Sequence, residues 1–367
     1  MMIRPLDFYN ALVQEGLDTF YGVPDSLLKE ICACIMDKTV PQKHIITANE
    51  GNALALAAGH YLATATPAVV YMQNSGEGNI INPLLSLIDE EVYRIPALLI
   101  IGWRGEPGVH DEPQHVKQGK LTLPLLDVMG IRYEVLEKTD QVKKAVQYMS
   151  MTQKPFALIV KKGLFDVYPN KPEPQSRYPL TRERAIQMVL ERLNEKDIVV
   201  STTGMISREV YENRKNHEKD FLTVGSMGHA SSIALGIALE KKNRKVFCLD
   251  GDGACLMHMG AMAVIASRQP GNLKHIIFNN ESHDSVGAQP TVMNNVDLQI
   301  LAKAVGYPNT FSAQTEQELE TVWNDFYEVS GLSLLEIKVK SGSRKDLGRP
   351  KEKPVENKEA FMVFLRG

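Results

Sequence analysis

Two apolar runs constrain this chain most: PAVVYMQ at residues 67–73 and PALLIIGW at 96–103, each opened by proline and almost free of polar positions. They are too short for ordinary helices, and they lack the polar alternation of a strand with one face in water. Strands covered on both faces read this way, and such strands belong to parallel sheets packed between helices. Further strands are expected at 18–22, 44–48, 133–136 and 156–161. Helix-period stretches at 25–37, 49–65 and 141–151 separate them. The alternation is that of an α/β fold built on a mainly parallel sheet flanked by helices.

Between Gly163 and Thr181 the pattern stops. Pro169, Pro172, Pro174 and Pro179 fall there among charged and polar residues, as in an exposed linker. The alternation then restarts, with strands expected at 197–201, 221–224, 245–250, 274–279 and 332–339. We therefore expect two α/β domains, 1–165 and 181–367, joined by a linker at 166–180. The 367 residues suit two domains at roughly 150 residues each. Their similar size makes the halves candidates for distant structural relatives. The second half ends in a basic, proline-punctuated tail (SGSRKDLGRPKEKPVENK) and an apolar EAFMVFLRG expected to dock as a helix.

Several classes of function recede. Lys and Arg number 41 against 44 Asp and Glu, a net charge of −3, so no nucleic-acid partner is expected. No apolar run approaches the ~18 residues of a membrane span. Pro5 and Asp7 stand where a secretory signal would be apolar, which points to the cytoplasm. Cys32, Cys34, Cys248 and Cys255 show no C-x-x-C spacing and are expected as buried, reduced thiols.

The strongest chemical signal is KVFCLDGDGA at 245–254 followed by LKHIIFNNESHDS at 273–285. Residues 254–278 leave room for a turn, one helix over 257–268 and a returning strand. Both polar clusters then emerge at the carboxyl ends of neighbouring parallel strands, where open α/β sheets place their ligands. Gly251 and Gly253 allow a sharp turn and close approach of backbone N–H groups. Asp252 and Asn280 offer hard oxygens of the kind Mg²⁺ prefers, with positions left for a diphosphate and water. A Rossmann site would need a third glycine, but Ala254, Cys255 and Leu256 follow Gly253, and no Walker sequence occurs.

This pairing resembles the cofactor signature of thiamine-diphosphate-dependent enzymes. The resemblance implies thiamine diphosphate held with Mg²⁺ by Asp252, Asn280 and the carbonyl of Ser282, with Gly251, Gly253 and Ala254 at the same turn. In IITANEGNALALAAG, Glu50 matches the glutamate that contacts the aminopyrimidine and promotes its proton-abstracting tautomer. A helix-start acid favoured by the macrodipole is the plainer account. Met227, after Ser226 in TVGSMGHASSIALGIALE, matches a bulky apolar residue beneath the bent cofactor. Thr203 and Gly204 in STTG fall where such enzymes touch the diphosphate. Asp25 in YGVPDS matches an acid near the reacting carbon of related decarboxylases, and equally suits a helix N-cap. By this resemblance 1–165 is the pyrimidine-binding domain and 181–367 the diphosphate-binding domain. Related enzymes divide one cofactor between subunits, which implies a homodimer or higher homo-oligomer with active sites at subunit interfaces.

The segments YGVPDSLLK, TANEGNA, MQNSGEGNIINPL, GWRGEPGVHDEPQH, NNESHDSVGAQPT and GSRKDLGRP resemble the phosphonopyruvate decarboxylases among the thiamine-diphosphate-dependent 2-oxo acid decarboxylases. Sulfopyruvate decarboxylase is the alternative. The implied reaction takes a small anionic 2-oxo acid, 3-phosphonopyruvate, to phosphonoacetaldehyde and carbon dioxide in phosphonate biosynthesis. Such a substrate calls for fixed positive charge, and Arg104, Arg344, Lys345 and Arg349 are the candidates. His110 stands where that family more often has lysine and is a further substrate candidate. Pro113 is expected to interrupt any helix joining His110 to His115, so substrate contact or proton transfer suits His115 better than a metal. His283 and Asp284 are further acid/base candidates, and Asp25, His115 or Asp284 is expected to manage the proton that completes the product. Two other classes stay open: a nucleotide-binding oxidoreductase and a non-catalytic relative. The second fits poorly with a chain that keeps Glu50, Asp252 and Asn280.

Overall fold

The computed structural model describes residues 2–169 and 177–367. The chain divides into two compact units, Met1–Glu173 and Pro174–Gly367. The middle of the expected linker, with Pro172 and Pro174, lies outside the described residues.

In the first unit, β1 (Phe20–Gly22), β2 (His44–Ile46), β3 (Val69–Gln73), β4 (Leu98–Gly102), β5 (Arg132–Val135) and β6 (Phe156–Val160) form one sheet in the order β2-β1-β3-β4-β6-β5. Every pairing is parallel. Val69, Tyr71, Leu98 and Ile100 enter one core with Phe8 and Ile31. Val70, Met72, Leu99 and Ile101 enter the opposite core with Ala53 and Leu54. Alternate residues thus meet helices on both sides, which is why these runs stay apolar as far as Gln73 at the end of β3.

The second unit contains β7 (Ile198–Ser201), β8 (Asp220–Leu222), β9 (Val246–Gly251), β10 (Leu273–Asn279), a short antiparallel ribbon of β11 (Ser282–His283) and β12 (Gln289–Pro290), then β13 (Asn309–Ala313) and β14 (Ser333–Lys338). Its main sheet is parallel, in the order β8-β7-β9-β10-β14-β13. Ranked by appearance, the main-sheet strands of both units run 2-1-3-4-6-5, so the halves share one topology. In each, the order reverses direction beside the first strand, and it is outside the carboxyl ends at such a point that open α/β sheets place their ligands.

Three features depart from the sequence reading. β13 was not anticipated, because NTFSA is a half-buried edge strand without an apolar run. Residues 252–268 form two helices, Asp252–Met257 and Gly260–Arg268, so helix begins at Asp252 itself. Pro113 does not interrupt a helix but opens one, Pro113–Val128. At the first helical position proline forfeits only an N–H that has no intrahelical partner.

The terminal segment docks as a helix, Pro354–Arg366, with Phe361 buried against Phe221 at a ring separation of 5.6 Å. The N–H of Leu222 donates to Asn357 Oδ1 at 3.1 Å, and Asn357 Nδ2 donates to the carbonyl of Asp220 at 2.8 Å. One side-chain amide thereby covers edge strand β8 as a neighbouring strand would. Among the described residues, no helix is long and apolar enough to cross a membrane.

Candidate functional site

In the second unit the loops after β7 to β10 gather the residues of the GDG and NN motifs. Asp252 heads its helix directly after β9, is 3% exposed, and accepts a hydrogen bond from Thr291 Oγ1 at 2.5 Å. Burial pushes its carboxyl up to about 7, against the Thr291 hydrogen bond. Asn280 Oδ1 accepts the N–H of Ser282 at 3.1 Å, and Ser282 Oγ is buried without a hydrogen-bond partner among the described residues. A buried carboxylate with no cation beside it among the described residues and an orphaned oxygen in the neighbouring loop fit a hard divalent ion.

Gly251 and Gly253 act differently from the expectation. Neither has a positive φ, so left-handed freedom is not their contribution. A Cβ on Gly253 would stand 3.0 Å from the His283 ring and 3.3 Å from Met227 Cε, so absence of a side chain lets three loops close together. Burial holds the His283 imidazole down, at about 4. Left-handed backbone occurs instead at Gly204, Gly225, Ser226 and Gly228. The N–H of Gly225 donates to Thr203 Oγ1 at 3.0 Å, tying the β7 and β8 loops together. Loops of this kind turn successive N–H groups to one side, a concavity suited to a diphosphate. Ala254 is buried in the first turn after Asp252.

Asp284 is heavily bonded. Its Oδ2 accepts from Arg182 Nη1 at 2.6 Å, Asn280 Nδ2 at 2.7 Å and the N–H of Gly342 at 3.0 Å, and its Oδ1 accepts from Ser341 Oγ at 2.7 Å. Arg182 is buried and also forks onto Glu209, through Nε at 2.8 Å and Nη2 at 3.0 Å. Neither Arg182 nor Glu209 stood out in the sequence, since only the fold brings residues 182, 209 and 284 together.

The tail candidates lie near by in chain order but are differently placed. Arg344 is paired with Glu183 at 3.1 Å, Glu212 at 2.6 Å and Asp346 at 3.1 Å. Arg208 donates to the carbonyls of Leu347 and Gly348. These contacts hold the tail on the surface of its own unit. Lys345 and Arg349 are exposed.

In the first unit Glu50 is the first residue of the Glu50–Thr64 helix, whose N-cap Asn49 accepts the N–H of Asn52 at 3.0 Å. Glu50 is 4% exposed, and its Oε2 accepts from Asn79 Nδ2 at 2.7 Å. A side chain on Gly76 would overlap the Glu50 carboxylate, so that glycine makes its room. Burial raises the carboxyl above its usual range, with Asn79 opposing.

Asp25 is wholly buried. Its Oδ2 accepts the N–H groups of Leu27 and Leu28, at 2.7 and 3.3 Å, and its Oδ1 accepts from Gln73 at 2.6 Å. Burial pushes it up, while Gln73 and the more distant Arg104 charge oppose the rise. Arg104 forks onto Asp111, with Nε to Oδ2 at 2.7 Å, and its Nη1 donates to Ser26 Oγ at 2.8 Å. Asp111 is thereby held down at about 2 despite partial burial. His115, in the first turn of the Pro113–Val128 helix, is buried with Nδ1 unpartnered among the described residues. Burial first, then the Arg104 charge, lowers its pKa. His110 is exposed.

One buried acid escaped the sequence reading. Glu77 follows β3, is 2% exposed with Oε1 unpartnered, and burial raises it to about 8. In NSGEG it looks like any exposed helix-start acid, so no local signal marked it.

Residues 7–127 match the family described as thiamine pyrophosphate enzyme, N-terminal TPP binding domain, and residues 201–337 match its C-terminal TPP binding domain. Fold and site thus define a thiamine pyrophosphate enzyme. The chain is 34% identical, over 99% of its length and 95% of the relative's, to a phosphonopyruvate decarboxylase of Streptomyces viridochromogenes. Against another from Streptomyces hygroscopicus it is again 34% identical, over 99% of the chain and 94% of the relative. A sulfopyruvate decarboxylase of Methanosarcina acetivorans is 28% identical over 90% of the chain and 89% of the relative. The chain belongs to the phosphonopyruvate decarboxylase family of thiamine-diphosphate-dependent carboxy-lyases, as its motifs implied.

Proposed function

We propose that this chain decarboxylates 3-phosphonopyruvate to phosphonoacetaldehyde and carbon dioxide with thiamine diphosphate and Mg²⁺, as a step in phosphonate biosynthesis. The observation that carries the reading is the end-to-end 34% identity to two phosphonopyruvate decarboxylases. When bound, thiamine diphosphate supplies the electron sink into which the carboxylate's electron pair passes.

On this reading Asp252, Asn280 and the Ser282 carbonyl hold Mg²⁺. The N–H groups around Thr203, Gly204, Ser226, Gly251, Gly253 and Ala254 receive the diphosphate, and Met227 packs beneath the cofactor. Glu50 is the proton-handling acid at the aminopyrimidine. Asp284 anchors the metal loop, because both its oxygens already accept donors. Asp25 orients its turn and Gln73. The final proton is therefore assigned to His115, whose Nδ1 has no partner among the described residues. Arg104 and Arg344 meet the substrate only in competition with the carboxylates they already hold. Lys345, Arg349 and His110 supply exposed positive or protonatable groups. The working assembly is a cytoplasmic homodimer or larger homo-oligomer, each site taking its two halves from different subunits.

Carbon dioxide release from cofactor-stripped protein tests the substrate. With thiamine diphosphate and Mg²⁺ restored, kcat/KM for phosphonopyruvate is expected to exceed that for sulfopyruvate by about tenfold or more. A preference for sulfopyruvate would reassign the anion pocket and keep the cofactor chemistry. For the metal, Asp252→Ala is expected to weaken Mg²⁺-dependent thiamine diphosphate binding by about 10- to 100-fold in calorimetry. Unchanged affinity would remove Asp252 from the site.

A further inference from the structure

Directly before the Gly251–Gly253 turn, the second sheet carries polar groups where its architecture calls for apolar ones. Phe247 and Leu249 of β9, with Ile276 and Phe278 of β10, pack into one core with Trp323 and Phe326. Cys248, Asp250 and His275 occupy the alternating positions and so share the opposite face. Cys248 and His275 are register partners across β9 and β10. None of the three side chains reaches solvent: Cys248 and His275 are buried at 0% and 1% exposure, and Asp250 at 1%.

Their donor atoms, a thiol sulfur, a carboxylate oxygen and a ring nitrogen, all lie within 4.8 Å of one another. Asp250 Oδ2 and His275 Nε2 are 3.5 Å apart, yet neither has a hydrogen-bond partner among the described residues. That distance is long for a charge-assisted hydrogen bond, which spans about 2.7–2.9 Å. It matches the edge of a coordination tetrahedron, since bonds of about 2.0–2.2 Å place two ligand atoms about 3.3–3.6 Å apart. The far sides of both groups are already held. The N–H of Gly251 donates to Asp250 Oδ1 at 2.9 Å, and His275 Nδ1 lies 3.2 Å from the Tyr307 hydroxyl. Outer bonds of this kind orient metal ligands and fix which imidazole nitrogen is available.

We propose that Cys248, Asp250 and His275 form a structural site for a thiophilic divalent cation of the Zn²⁺ type, separate from the Mg²⁺ site at Asp252. On binding, the Cys248 thiol releases its proton to solvent and the sulfur–metal bond forms. Thiolate and carboxylate together carry two negative charges and the imidazole none, so a dication leaves the buried cluster neutral. Neutrality removes the large cost of a buried unpaired charge. A thiolate with an imidazole selects Zn²⁺ over Mg²⁺, and a closed, solvent-free position marks a structural ion. The ion clamps β9 to β10 two residues before Asp252.

The test is the metal content of the full chain, produced with zinc supplied and dialysed into Mg²⁺ buffer without chelator. About one zinc per chain is expected in the unsubstituted protein and in Asp252→Asn, with at least about a fivefold loss in Cys248→Ser. Because Cys248→Ser risks misfolding, the unsubstituted chain is also reconstituted with Co²⁺, where a thiolate-to-cobalt charge-transfer band is expected. Zinc below about a tenth of an equivalent together with no cobalt band would overturn the proposal. So would undiminished zinc in a folded Cys248→Ser variant.

Discussion

Glu50→Gln is expected to lower turnover by about 10²- to 10⁴-fold while leaving thiamine diphosphate affinity within about threefold of the native value. Glutamine keeps the length of the side chain and an oxygen able to accept from Asn79, so the local packing survives. What it cannot do is exchange a proton. The buried position makes that loss severe, because water has little access to substitute for a group 4% exposed at the head of its helix. Steady-state carbon dioxide release, paired with calorimetry on the same protein, separates chemistry from binding. Turnover within about tenfold of native would end the assignment of Glu50 as the proton-handling acid. Gly76→Ala provides a companion result, since its Cβ would overlap the Glu50 carboxylate and displace it without removing it. A similar loss there would tie activity to the position of the acid as well as its presence.

The strands were legible because burial on both faces is written locally: VVYM and LLIIG need apolar residues throughout and both have them, with polar Gln73 only at the end of its strand. The candidate site was legible for a related reason. Parallel topology delivers strand ends to one edge, so Gly251-Asp252-Gly253 and Asn279-Asn280 had to emerge together once β9 and β10 were neighbours. Charge partners were not legible. Arg104, Arg344 and Asp284 read as free groups until Asp111, Glu183, Glu212 and Arg182 arrive from other turns of the chain. Pairing of that kind is a tertiary property with no spacing rule. Two local inferences also missed for physical reasons. Pro113 breaks a helix only when it lies inside one, and here it stands first. Gly253 was credited with conformational freedom, whereas its value is the absent side chain beside His283 and Met227.

The second large effect concerns Arg182, which contacts no proposed ligand. Arg182→Met is expected to destabilise the second unit by about 3–5 kcal/mol, measured by urea unfolding through Trp323 fluorescence in a Trp103→Phe background. Methionine replaces the apolar stem but not the guanidinium. Glu209 and Asp284, with side chains 1% and 7% exposed, would then face each other without a cation. Burial already pushes Glu209 up, and Arg182 is the group that opposes the rise. Without it the folded-state pKa of Glu209 moves further above its unfolded value. A group raised on folding stabilises most when protonated, so the deficit of the variant should shrink as pH falls from 7 toward 5. A loss below about 1 kcal/mol, unchanged with pH, would mean that the pair is solvated and not a structural hub. Asp284 also binds Asn280, Ser341 and Gly342, so loosening it releases the proposed metal loop and the root of the tail together. The same variant should therefore bind thiamine diphosphate more weakly even under conditions where it remains folded, because the arginine sets the position of that loop through its hydrogen bond to Asp284.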